Sequence, residues 1–443
     1  MVSGLVAVSL GGCSTIGSWF GLGGGSSQSG DTQKIATRYL GSVAADDASA
    51  VGAGDNILRL HGNAADAATA MALTLTVSLP SRAGLMGGGV CLVRDAESAS
   101  VDSITFLPPA AQGGSVPVPA LVRGIAALQA RYGTLDWRQI VVGVERLAQG
   151  GVPVSAQLQA DAAAAGVALP PGQNHVEPAL ASVFSQLRIN GVSDFYTGDL
   201  ARQLVAAGVP GTALASYAPV WRQALQVASN HDTLFVPPTT GGRITAGAYG
   251  ALMDQEDAAA DPATRFQIAR TGADAVAAKF GPAVAADQTT ASTGFIVSDA
   301  AGRVVSCTLS MGSSLFGTRK KLGLPALYVA APIAGDPAAE RSLAPAIAYN
   351  ANSSQVLGVF AGSAGTSAPA DLAGVVFSML RADKGAGTSV ALLRRPGDTG
   401  ATAVPDRVAA LHCPDGLVRN PKTCGLARDP RGWGFAQTVD LVK

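Results

Sequence analysis

Thr289-Thr290-Ala291-Ser292-Thr293-Gly294-Phe295-Ile296-Val297-Ser298-Asp299 runs into Ala300-Ala301-Gly302, and residues 304–309 are again apolar at strand length. A cluster of hydroxyls leads one strand, a turn follows, and a second strand begins. Side chains of a strand alternate in direction, so the neighbours Ser292 and Thr293 face opposite sides. Residues 354–360 supply another strand-like run, and residues 88–93 an earlier one. Working outward, residues 55–77 read as two helices broken at His61-Gly62-Asn63. Gly62 can take the left-handed conformation that ends the first, Asn63 can cap the second, and Asp66 in the first turn suits the helix dipole. Helical patterns also fill Leu121–Tyr132 and residues 137–149 and 200–207. Helices with some strand, then paired strands, predict an α/β (α+β) layered sheet covered by helices, without internal repeats.

Composition narrows the function classes. With 48% hydrophobic residues in 443, the chain can bury a large core, and its 31 basic and 31 acidic residues cancel. No net field therefore draws it to nucleic acid. Residues 2–10 are mostly apolar and small, and Gly11-Gly12-Cys13-Ser14 follows. That pattern reads as a lipobox with Cys13 as the lipidation site, and residues 23–30, rich in glycine and serine, as a flexible tether. The expectation is a lipid-anchored protein on the periplasmic side of the cell envelope. In such an oxidising compartment Cys413 and Cys424, which bracket a polar loop, are expected to form a local disulfide, whereas Cys91 and Cys307 read as buried, inert thiols. The four histidines are scattered, so neither a metal nor another cofactor is expected.

Several segments resemble, in order, the gamma-glutamyltranspeptidase family. They are His61-Gly62-Asn63-Ala64-Ala65-Asp66-Ala67-Ala68, Gly84-Leu85-Met86-Gly87-Gly88-Gly89, Val118-Pro119-Ala120 with Gly124, Tyr132-Gly133-Thr134-Leu135-Asp136-Trp137, Phe195-Tyr196-Thr197-Gly198-Asp199 and Pro237-Pro238-Thr239-Thr240-Gly241-Gly242. The resemblance implies a four-layer αββα N-terminal-nucleophile hydrolase fold. It also implies a precursor that cuts itself into two associated fragments and uses the new N-terminal residue as nucleophile and base. A hydroxyl attacks an amide carbonyl, the residue's own α-amine takes the proton, and backbone amides hold the oxyanion. An α-amine with an ordinary pKa of about 8 can do this without a histidine.

The family's cleavage motif, aligned on Asp299, puts Ser292 at the nucleophile position, while the family's threonine chemistry points to Thr293; both stay open. Ser310 stands for a family threonine that supports the nucleophile, Gly312 for a family asparagine, and Gly362-Ser363-Ala364-Gly365 for the oxyanion loop. Asp429-Pro430-Arg431-Gly432 resembles the closing segment, with the arginine expected to satisfy backbone carbonyls. The implied division is residues 1–30 as signal and tether, 31–291 as a large-subunit-like region and 292–443 as a small-subunit-like region.

The family's clamp for an amino-acid head group is missing. Ile104 stands where an arginine binds the α-carboxylate, Ala330-Ala331-Pro332-Ile333-Ala334-Gly335 replaces the amine-binding stretch with Asp336 just beyond, and Arg341-Ser342-Leu343-Ala344-Pro345 replaces a serine pair. A buried zwitterion without partners costs several kcal/mol per charge, so the expected substrate is a small amide or peptide whose acyl group need not be gamma-glutamyl. Arg319, Lys320 and Lys321 read either as an anion site or as a solvated basic turn. The alternative function is a catalytically inactive envelope lipoprotein that keeps the fold for binding.

Overall fold

The computed structural model describes residues 37–109, 116–169, 172–285, 287–323, 325–393 and 407–442. Cys13, the lipobox and the tether lie outside these residues. The strands are β1 (Thr37–Ala45), β2 (Gly88–Arg94), β3 (Asp102–Phe106), β4 (Val152–Pro153), β5 (Asn174–His175), β6 (Val220–Gln223), β7 (Leu225–Ser229), β8 (Asp232–Val236), β9 (Ser292–Asp299), β10 (Val304–Ser310), β11 (Ala344–Asn350), β12 (Gln355–Ser363), β13 (Arg407–His412), β14 (Gly425–Arg428) and β15 (Phe435–Val442). Among the described residues, one sheet runs β15-β1-β9-β10-β2-β3-β6 and a second β14-β13-β12-β11-β8-β7.

Three cores fix the layers. Helices Ala48–Arg59, Ala64–Ser78, Leu121–Tyr132 and Trp137–Gly150 bury Leu73, Ile125 and Val144 with Phe295, Val297 and Cys307 on the outer face of the first sheet. Helices Thr240–Asp254, Pro262–Ala277 and Ala368–Leu380 do the same for the second sheet through Ile244, Ala269 and Val376 against Phe360 and Val408. Between the sheets Ile296, Leu92 and Val304 meet Val359, Ala361 and Ile347. The result is the αββα sandwich, in which a buried face on each element meets another.

Asn63 caps helix Ala64–Ser78 as expected, its Oδ1 accepting from the Asp66 N–H, and Asp66 accepts in return from the Asn63 N–H, which completes a capping box. The break before it differs from the expectation. His61, with φ of 63°, takes the left-handed turn, while Gly62 is demanded by space, because a Cβ there would lie 2.6 Å from Ile57 Cγ2. The cysteines also differ. Cys413 and Cys424 are bonded, but so are Cys91 and Cys307, which sit directly opposite on β2 and β10 with Cα atoms 4.1 Å apart. Their placement in the sheet was invisible to a reading of local runs, since 216 positions separate them.

Asp66 does more than cap: it also accepts from Thr134 N–H, Thr134 Oγ1 and Gln129 Nε2 while fully buried. Asp66→Ala should therefore strand several donors and lower stability by about 3 kcal/mol or more, read as a fall in the urea midpoint at unchanged slope.

Candidate active site

Pairing of β9 with β10 sets Ser292 opposite Ser310 and Thr293 opposite Leu309. Phe295 and Val297 belong to the helix-side core, so Thr293, of the same parity, faces the helices. Its hydroxyl donates to Asp46 Oδ2 at 2.6 Å, which also accepts from the Gly294 N–H at 3.2 Å, and the Arg428 guanidinium meets the other Asp46 oxygen. Ser292 shares parity with Ile296 and faces the second sheet. The Ala364 N–H donates to Ser292 Oγ at 2.8 Å, and Thr290 Oγ1 lies 3.0 Å from it.

The turn that aims the Ala364 amide is strained. β12 continues through Ser363, and Ala364 then adopts φ of 76°, a conformation costing a non-glycine residue about 1–2 kcal/mol. In exchange its N–H reaches Ser292 and its carbonyl accepts from the Thr290 N–H at 2.9 Å. The Thr366 N–H donates to the Gln288 carbonyl at 3.0 Å, and Thr289 bridges Gly365. The segment leading to Ser292 is thus a short antiparallel partner of this turn.

The Ala291–Ser292 peptide is held from the other side as well. The Ala291 N–H donates to the Gly312 carbonyl at 3.0 Å, and the Met311 N–H donates to the Ala291 carbonyl at 2.8 Å. Gly312 turns with φ of 106°, and a Cβ on it would lie 2.7 Å from Ala331 Cβ, so glycine is required where the family has asparagine. Ser310 Oγ accepts from the Gly312 N–H at 2.9 Å, stiffening that turn. Ser363 Oγ is buried with no hydrogen-bond partner among the described residues, and a Cβ on Gly294 would stand 3.2 Å from it. Gly362 belongs to the strand, and its open side faces Ala368 and Leu372 of the outer helix. The structure therefore gathers Thr290, Ser292, Ser310, Ser363 and Ala364, and it takes Thr293 and the Gly362 open side elsewhere.

Arg82 was not singled out in the sequence, although a charge inside the small-residue run Ser81-Arg82-Ala83-Gly84 was a usable signal. Its guanidinium donates to the carbonyls of Thr290 and Ser292, both at 3.2 Å.

The positions of the missing clamp have other occupations. Ile104 pairs with Cys91 and packs in the helix-side core. Asp336 caps helix Pro337–Arg341 by accepting from Ala338 and Ala339. Ile333, Ala339 and Leu343 form an apolar cluster with Val90. The basic turn is exposed, with Arg319 donating to the Ala165 carbonyl at 3.2 Å and Lys321 meeting Glu177 at 2.8 Å. Arg431 is held by carboxylates, Asp429 at 2.7 Å and Asp371 at 3.1 Å, where backbone carbonyls were expected. Burial pushes the Asp371 carboxyl up, and Arg431 and Arg270 oppose that.

A family model described as Gamma-glutamyltranspeptidase matches residues 49–267, ending before Ser292. Glutathione hydrolase 2 of Arabidopsis thaliana is 30% identical over 201 residues, 38% of this chain and 35% of that protein. The glutathione hydrolase proenzyme of Pseudomonas aeruginosa is 28% identical over 267 residues, 51% of this chain and 47% of that protein. The matches thus cover less than half the length of these curated relatives. Among solved structures, a cephalosporin acylase from Bacillus halodurans superposes with a TM-score of 0.68 at 17% identity, covering 93% of this chain and 98% of that one. This likeness places the sandwich in the N-terminal-nucleophile hydrolase fold.

Because Thr293 bonds a buried carboxylate, Thr293→Val should lower stability by about 1.5–3 kcal/mol, checked by equilibrium urea unfolding.

Proposed function

We propose that this chain is a divergent member of the gamma-glutamyltranspeptidase family and a self-processing acyl hydrolase or transferase whose nucleophile is Ser292. The observation that carries the reading is the setting of one peptide bond. Ser292 Oγ faces the interior between the sheets with the Ala364 amide on it, and the Met311 amide holds the preceding carbonyl. In the intact chain Ser292 is fully buried under its own leading segment, as suits an uncut precursor. The name of the Pseudomonas aeruginosa relative, a proenzyme, accords with this.

In the first step Ser292 Oγ adds to the Ala291 carbonyl carbon. The Met311 N–H, already on that oxygen, stabilises the developing charge. The C–N bond breaks, the serine nitrogen takes the proton lost by the hydroxyl, and an ester remains. Water then hydrolyses the ester to an Ala291 carboxylate and a free Ser292 α-amine. The residues before Ser292 become the large fragment and those from Ser292 the small one. In turnover the α-amine takes the proton of Oγ as that oxygen attacks a substrate amide, then gives it to the leaving amine as the amide C–N bond breaks. The acyl ester left on Oγ is then cleaved by water or by an acceptor amine, which restores the hydroxyl. The Ala364 N–H at 2.8 Å and Thr290 Oγ1 at 3.0 Å lie on the reacting oxygen.

The apolar packing of Ile333, Ala339 and Leu343 supports an acyl group without a charged amino-acid head, because burying that head there would leave its charges unpaired. Two disulfides support residence in an oxidising compartment, in keeping with a periplasmic lipoprotein anchored at Cys13.

Cys91 precedes and Cys307 follows the cut, so the fragments would stay covalently joined. Mature protein should be, without reductant, one species heavier by one water than the uncut chain with the same ends, disulfides and lipid, and should separate into two fragments only on reduction. Ser292→Ala should remain one chain after reduction, whereas Thr293→Val should still separate. A wild-type chain that stays whole after reduction would favour the binding-only alternative. Acyl hydrolysis should rise as pH passes through about 8, since only the neutral amine accepts the proton; a pH profile flat from 6 to 9 would contradict an α-amine base.

A further inference from the structure

Arg82 and Asp161 form an ion pair that is nearly closed to solvent, with side-chain exposures of 5% and 4%. Arg82 Nε donates to Asp161 Oδ2 at 2.7 Å and Nη2 to Oδ1 at 2.8 Å. The carboxylate is completed by Ser81 Oγ at 2.7 Å and Gln157 Nε2 at 2.9 Å, the latter from the same helix, Ala156–Ala165. Burying such a pair gains little stability over apolar packing, because the desolvation of both ions offsets their attraction. What distinguishes this pair is the direction of the remaining nitrogen. Nη1 donates to the carbonyls of Thr290 and Ser292, the residues on either side of Ala291.

In extended backbone, carbonyls of alternate residues point the same way and the one between points opposite. A single nitrogen can therefore hold Thr290 and Ser292, and doing so turns the Ala291 carbonyl toward the Met311 amide. We propose that the Arg82–Asp161 pair is a positioning clamp for self-cleavage, fixing the orientation of the Ala291–Ser292 peptide so that its carbonyl presents to the Met311 N–H while Ser292 Oγ attacks. Arg82 touches the flanking carbonyls and not the reacting atoms, and Asp161 acts through Arg82 by locking the guanidinium plane. The bonds made and broken are those of the acyl shift above, with water as the only co-reactant. The clamp rests on the assignment of Ser292 as the self-cleaving residue.

The test follows self-cleavage with time after cell-free synthesis of the full chain, by reducing gel and intact mass, for wild type, Arg82→Gln, Arg82→Lys and Asp161→Asn. Folding is verified in each by thermal unfolding and by formation of both disulfides. A misplaced reacting group costs up to about a hundredfold, so Arg82→Gln and Asp161→Asn should cleave about 10- to 100-fold more slowly. Arg82→Lys, which keeps a donor able to reach a carbonyl, should recover part of the rate; a purely structural role would instead make cleavage follow the unfolding midpoint across all three. Wild-type cleavage rates in folded Arg82→Gln and Asp161→Asn overturn the clamp while leaving Ser292 in place. If Arg82→Gln fails to fold, Asp161→Asn decides. A wild-type chain that never cleaves overturns both the Ser292 assignment and the clamp.

Discussion

The register of β9 is the constraint on which the site depends. The strand is buried on both faces between β1 and β10, so every second side chain must suit one of two different cores. Phe295 and Val297 fill the helix side and Ile296 the space between sheets. At the start of the strand the same alternation commits Thr293 to Asp46 and delivers Ser292 to the Ala364 amide. A slip of one residue would exchange all of these at once, pulling Thr293 from its carboxylate partner and forcing Phe295 into the space opposite Ala361. The buried contact of Asp46 with Thr293, Gly294 and Arg428 thus pins β9, and through it the orientation of the reactive hydroxyl.

The sheet order explains how a cut chain could stay whole. β9 and β10 lie between β1 on one side and β2 on the other, and β15 closes the edge beyond β1. Strands from before and after Ser292 therefore interleave in one sheet. Separating the two pieces would require tearing the β1–β9 and β2–β10 ladders and the cores on both faces. The Cys91–Cys307 bond crosses one of those ladders, adding a covalent link to a contact already held by backbone hydrogen bonds. The strain at Ala364 belongs to the same scheme: its left-handed turn is tolerated because its own hydrogen bonds to Thr290 and Ser292 determine it, while the Ala368 N–H holds the carbonyl of Gly365 that follows.

Much of this was legible from local pattern. The capping box at Asn63 and Asp66, helix Leu121–Tyr132 and the β9–β10 hairpin are written in nearest neighbours and in side-chain period. What stayed hidden depends on which faces meet. Ser292 and Thr293 could be placed on opposite sides of a strand, yet nothing local says which side adjoins the second sheet. Cys91 and Cys307 looked like apolar thiols because only the pairing of β2 with β10 brings them opposite each other. Gly62 was read as the left-handed residue, whereas His61 takes that role and Gly62 answers to the crowding of Ile57 and Leu135. Arg82 escaped attention for a similar reason: its partners, Asp161 and the carbonyls of Thr290 and Ser292, come from distant parts of the chain.

The most direct measurement is the identity of the new terminus. Labelling of free α-amines on the folded, purified protein, followed by reduction, digestion and mass spectrometry, should find a labelled peptide beginning Ser292-Thr293-Gly294 in addition to the mature N-terminus. A new terminus at Thr293, or none at all, would contradict the assignment of Ser292 as the self-cleaving nucleophile.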